Sequence, residues 1–183
     1  MKTVLAALAL TALGAAPALA QSTATAGPLP VTGNVPALCS AGTVTGGDQV
    51  FGLGVMIDTS TGFMLNNLAA PNKVVTGSFC NFRSTISIAA APMTAQAATG
   101  APPAGFANAV NFTATASGWT TTAASTTTGA VSNPAASQSR LTAFAGDITV
   151  GVSGFSPVGG TGLRLVSDPS YRGTVTVTLA VAN

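Results

Sequence analysis

Histidine and glutamate are both absent from this 183-residue chain, and charged side chains make up only 5% of it, against about 25% in an ordinary soluble domain. Without histidine, the commonest general base, metal ligand and triad member is gone. The acids that remain, Asp48, Asp58, Asp147 and Asp168, lie far apart in sequence, each beside a turn or strand end. Aspartate in that setting usually closes turns. No run of closely spaced oxygen ligands builds a calcium loop around Asp48, Asp58 or Asp168, and no Gly-rich stretch has the strand-loop-helix context of a phosphate loop. The expectation is a protein that is not an enzyme, with no catalytic residue, no metal and no cofactor. Beyond residue 20 the cations are Lys73, Arg83, Arg140, Arg164 and Arg172. The isoelectric point near 8.8 therefore reflects a difference of very few charges, and nucleic acid is not expected as a partner. A surface of Thr, Ser, Ala, Gly and Asn has little charge to hold molecules apart, which suits assembly.

Long apolar runs and helical periodicity are scarce as well, apart from the first twenty residues. There, Lys2 supplies a positive start, Val4 to Leu13 an apolar stretch, and Ala18-Leu19-Ala20 a small-x-small cleavage site. Residues 1–20 thus read as a secretory signal peptide. No later segment is long and apolar enough to span a membrane, and the expected destination is the periplasm or the cell surface. Cysteine is limited to Cys39 and Cys80. An isolated pair in an exported protein usually forms one disulfide, and closing that loop would stabilise the fold by on the order of 4 kcal/mol in the chain-entropy model. Two free buried thiols are the alternative.

What the chain has in quantity is alternation. Leu29, Val31, Gly33, Val35 and Ala37 fall on every second position ahead of Cys39, while Pro28, Pro30 and Pro36 remove backbone donors. Residues 21–38 therefore read as an extended N-terminal arm or edge strand, and residues 39–183 as the folded domain. Val50 to Ile57 reads as a buried or bulged strand between turns. Lys73 to Asn81 reads as another strand, with Val75, Gly77 and Phe79 on one face and Val74, Thr76, Ser78 and Cys80 on the other. Ile86, Ile88 and Ala90 alternate, as do Val110, Phe112, Ala114 and Ala116. Pro92 to Gly105 reads as a loop, and the Thr, Ala and Ser tract from Thr120 to Ser139 as a strand end followed by an exposed linker. Leu141 to Phe144 with Ile148, Val150 and Val152 supplies one or two more strands, ahead of a glycine turn toward Leu163 and Leu165. Trp119 and Tyr171 read as core or sheet-end anchors. The most regular strand closes the chain: Val175, Val177, Leu179 and Val181 share one face from Tyr171 onward. An acid at Val177 is expected to bury an unpaired carboxylate and abolish folding. Seven to nine short strands with turn signals between them point to an all-β protein, a β-sandwich.

The order of signal peptide, alternating arm, first cysteine, second cysteine at a strand end, and a closing Tyr171-Arg172-Gly173-Thr174-Val175-Thr176-Val177-Thr178-Leu179 resembles the spore-coat-U-like and archaic chaperone-usher pilin subunits. That resemblance implies an immunoglobulin-like β-sandwich lacking its last strand and completed by donor-strand exchange. It also implies a Cys39–Cys80 disulfide between the first two strands, and Leu29, Val31, Gly33, Val35 and Ala37 as the residues entering a neighbour's groove. The implied partners are further copies or related pilin-like subunits, together with a periplasmic chaperone and an outer-membrane usher.

The leading expectation is therefore an exported, non-enzymatic structural subunit of a surface fibre or coat. Its competitor is a self-complete secreted β-sandwich that binds a carbohydrate or another surface ligand. Cys39 and Cys80 are expected to be oxidised to each other, so intact mass after alkylation without reductant should show no modified thiol. Two alkylated cysteines in natively exported protein would refute the pairing.

Overall fold

The structure, a computed structural model, describes residues 27–45 and 47–182; the expected signal peptide and the first residues of the arm lie outside that range. Residues Gly27 to Asn34 form one unit and Val35 onward another. Gly27 to Asn34 contains no strand or helix.

The second unit is all-β. Its strands are β1 (Cys39–Ser40), β2 (Thr43–Thr45), β3 (Lys73–Cys80), β4 (Ser84–Ala95), β5 (Phe106–Ala107) and β6 (Ala109–Ser117), followed by β7 (Ala124–Thr127), β8 (Ser137–Arg140), β9 (Phe144–Pro157), β10 (Arg164–Leu165) and β11 (Tyr171–Val181). Most belong to a curled antiparallel sheet, a half-barrel, ordered β1-β3-β9-β6-β4-β11. β2 adds to β3, β7 to β6 and β8 to β4, while β5 and β10 form a small parallel pair. The curl originates in β4. One of its edges runs the whole length of β11, from Ala95 opposite Tyr171 to Ser84 opposite Val181. Its second edge is divided between β8 at Ser84–Ser87 and β6 at Met93–Thr94.

Curling brings the apolar faces together. Ile86 and Ile88 of β4, Phe112, Ala114 and Ala116 of β6, and Ile148 and Val150 of β9 are buried in one cluster with Trp119. Alanine at the centre of β6 leaves room for the indole, whose Nε1 donates to Ser84 Oγ at 3.2 Å and so avoids an unmet buried donor. Phe144 meets that indole edge-on with ring centroids 5.1 Å apart. The Arg140 guanidinium covers the Phe144 ring at 3.6 Å and donates to Trp119 O.

The alternating segments of β4, β6 and β11 form as their patterns predict. Five other readings change. Leu141 to Ala143 are not in a strand but connect β8 to β9, which begins at Phe144, and Leu141 is exposed. Val50 to Ile57 is not a strand; its only bridge joins Ile57 to Met64, because Gly54 takes a left-handed φ of 67° that interrupts extension. In β3 the faces are not a simple alternation: Gly77, at φ 74°, makes a bulge between Val75 and Ser78. One extra residue shifts the phase, so Val75 packs on the core from one side of the bulge, and Ser78 and Cys80 are buried on the other. Pro92 lies inside β4 rather than in a loop, since it and Met93 form a bulge opposite Gly173 of β11, where the ladder skips and a proline is tolerated. The Thr120–Ser139 tract is no linker: it holds β7 and β8, with Ala124, Thr126 and Thr128 buried. Asn133 stands in for a strand there, accepting from Thr127 N and donating to Thr127 O.

Asp168 secures the approach to β11. Its carboxylate accepts from the backbone N–H groups of Ala97, Ala98 and Ser170 at 2.7–2.8 Å. These bonds, those of Ala98 and Ser170 foremost, lower its pKa below the ordinary aspartate value, and Ser60 does the same for Asp58. A depressed carboxyl pKa stabilises the fold above the unfolded value, and the effect is lost as pH falls through the folded value. Urea stability should therefore hold through neutral pH and decline below about pH 4. Asp168→Asn should flatten that acid limb; a profile superimposable on the parent's would remove Asp168 from the account.

Candidate functional site

The alternation of β11 sends Val175, Val177 and Leu179 inward, yet each is only half-buried. β11 pairs with β4 alone, and among the described residues no strand pairs with its outer edge. Across from that edge stand β2, β3 and β9. Between the two sides runs a cleft with two hollows. The larger, about 690 Å³, is walled by Met93, Phe112, Val152, Phe155, Tyr171 and Val175. The smaller, about 270 Å³, is walled by Val44, Val75, Ile148, Val150, Val175 and Val177. Gln49 and Phe51 border both. β1 approaches β11 at the far end, so the cleft narrows toward the disulfide and widens toward Tyr171.

Its chemistry is apolar and nearly neutral. No carboxylate lines either hollow, and the cations at its rim are Arg172 and Lys73. Lys73 Nζ is paired with Asp48 Oδ1 at 3.2 Å. Tyr171 donates its hydroxyl to Val166 O at 2.9 Å, and burial first, then the charge of Asp168, push its pKa up. Such walls bury side chains and offer backbone groups, and their ionisable members are Tyr171, Arg172 and Lys73. Among the described residues no group of three His, Cys, Asp or Glu side chains gathers to hold a metal.

The remaining residues singled out in the sequence fall as follows. Cys39 and Cys80 are joined by a disulfide, directly opposite each other on β1 and β3. Asn81 ties the preceding chain down, accepting from Leu38 N at 2.7 Å and donating to Pro36 O at 2.8 Å. Ala37 lies within that clamp. Leu29, Val31 and Val35 are 86%, 99% and 83% exposed, and no atom lies within 4 Å of where a Cβ on Gly33 would sit. Val181, the last apolar residue of β11, is half-buried opposite Ser84. Sequence reasoning missed Gln49, Phe51, Met93 and Phe155 as cleft residues, because what each faces depends on the opposite wall of the cleft and not on its local pattern.

Comparison of the chain with family models, with curated proteins and with solved structures found no match.

The half-burial of Val177 revises what substitutions there should do. Ile148→Ala removes fully buried atoms and should cost about 2–5 kcal/mol, whereas Val177→Ala should cost about 1 kcal/mol. Val177→Asp should leave a folded protein, because its carboxylate borders the open cleft. Urea denaturation checks the order; a Val177→Ala loss equal to that of Ile148→Ala would mean that the cleft is closed in solution.

Proposed function

We propose that this protein is an exported, non-enzymatic structural subunit that assembles by strand addition, the N-terminal arm of one copy filling the β11 cleft of the next. The half-barrel is on this reading an immunoglobulin-like sandwich short of one strand, and the cleft is where that strand belongs. The observation that carries it is the unpaired outer edge of β11 above an apolar cleft. An unpaired edge is a template for another chain, whose main-chain bonds give affinity and whose alternate side chains fill pockets. The Tyr171 hydroxyl, reaching back five residues to Val166 O, is the kind of corner that Greek-key sandwiches place at the start of a late strand.

The arm fits in three respects. Residues 21–38 carry no charge, which matches a cleft without a carboxylate. Leu29 to Val35 has the same length as Tyr171 to Val177, about 20 Å when extended. The prolines also sit on one parity. In a strand, residues of the same parity share both a side-chain face and a hydrogen-bonding edge. Leu29, Val31, Gly33 and Val35 would thus point into the cleft and keep every N–H toward one neighbouring strand, while Pro28, Pro30 and Pro36 leave donors missing only on the other side. Pairing with β11 is intact in that arrangement. The disulfide and the Asn81 clamp anchor the base of the arm to its own body, so residues up to Val35 are free to reach a neighbour. Related pilin-like subunits, a periplasmic chaperone and an outer-membrane usher are the further partners this reading calls for.

Deleting residues 21–35 removes no described strand and none of the buried core. The truncated protein should keep the parent's circular dichroism but form no fibres in electron micrographs. Fibres like the parent's, or a truncation that cannot fold, would favour the self-complete sandwich that binds a surface ligand.

A further inference from the structure

Residues 49–53 border the cleft, with Gln49, Val50, Phe51 and Leu53 lining its larger hollow. Phe51 and Leu53 are half-buried against its walls, whereas Gly52 between them is exposed, as are Gly54 and Val50, the latter at the rim of the larger hollow. Phe51 packs on the main core cluster and, with Gln49 and Val175, borders both hollows. This is the side-chain pattern of an inserted strand over a very short length. The backbone does not complete it. Among the described residues, no backbone hydrogen bond joins residues 49–55 to β11 or to β3, and the next such bond downstream is donated by Leu65 N to Met56 O. Gly54, at a φ of 67°, ends the extended stretch. The segment therefore shields apolar walls from water while leaving the edge of β11 unpaired, a hold that a fully hydrogen-bonded strand outcompetes.

Given the strand-addition reading of the cleft, on which this inference rests, we propose that residues 49–53 are a built-in plug, with Phe51 as its anchor, that keeps the unassembled subunit from pairing prematurely and is expelled when a second copy's arm enters. A site that is open only part of the time binds with an affinity reduced by the fraction open. Weakening the plug must therefore tighten binding, although it removes apolar surface from the neighbourhood of the site.

The test uses the monomeric fraction of the full chain and a fluorescein-labelled peptide of residues 27–35. Phe51→Gly/Leu53→Gly should bind the peptide about tenfold more tightly than the parent, chiefly through faster association. In a separate Phe51→Trp variant, emission above the background of buried Trp119 should shift to the red on peptide binding, as the new indole leaves the cleft for water. Equal or weaker binding by the double variant, or no shift in Phe51→Trp while the peptide binds, overturns the plug and leaves strand addition standing. Peptide binding to neither the parent nor the double variant overturns strand addition, and the plug with it. Should the double variant fail to fold, the emission of Phe51→Trp decides alone.

Discussion

The constraint on which the rest of this structure depends is the one-sidedness of β11. Its ladder to β4 runs from Tyr171 to Val181, and its outer backbone groups face a cleft rather than a neighbour. Buried backbone groups almost always find partners, so an edge beside an apolar channel has to meet water, a loop or another strand. The rest of the body is arranged around that edge. The disulfide holds β1 near one end of the cleft, Asp168 fixes the turn into its other end, and the Phe51 segment crosses between.

Small residues make the curl possible. Ala114, Ala116 and Ala124 are fully buried around Trp119, and only side chains of that size let the sheet close on an indole. The Thr-rich tract works on the same principle, since Thr126 and Thr128 are buried and the Thr128 hydroxyl donates to Asn111 Oδ1 while accepting from Phe112 N. A short hydroxyl side chain can serve as a core residue when its one polar atom is paired. Low charge follows from the same design. The aspartates whose pKa values are lowered bind backbone N–H groups at turns, so they fix loops and leave the cleft neutral.

A neutral, apolar channel beside an open edge is suited to an extended chain rather than to a small polar substrate. Of the two anchors singled out in the sequence, Trp119 is fully buried and Tyr171 has its hydroxyl engaged by Val166 O, while the more exposed rings belong to Phe79, Phe82 and Phe106. On the strand-addition proposal, the arm of a second copy matches the cleft in charge, length and parity.

Composition and alternation by themselves determined the all-β class and the core faces of β4, β6 and β11. Each of these follows from local chemistry, because a period of two fixes which side chains share a face. They also pointed to the pairing of Cys39 with Cys80, since only two cysteines exist to choose from. Tertiary structure decided the rest. Whether Gly77 shifts the face of β3, whether threonines at 126 and 128 are inside, and whether Phe51 lies in a channel depend on what stands opposite each residue, which no local pattern encodes. The cleft itself was invisible in sequence for the same reason. Val175 and Val177 have the pattern of a fully buried face, and they lie half in water because among the described residues no strand pairs beyond β11.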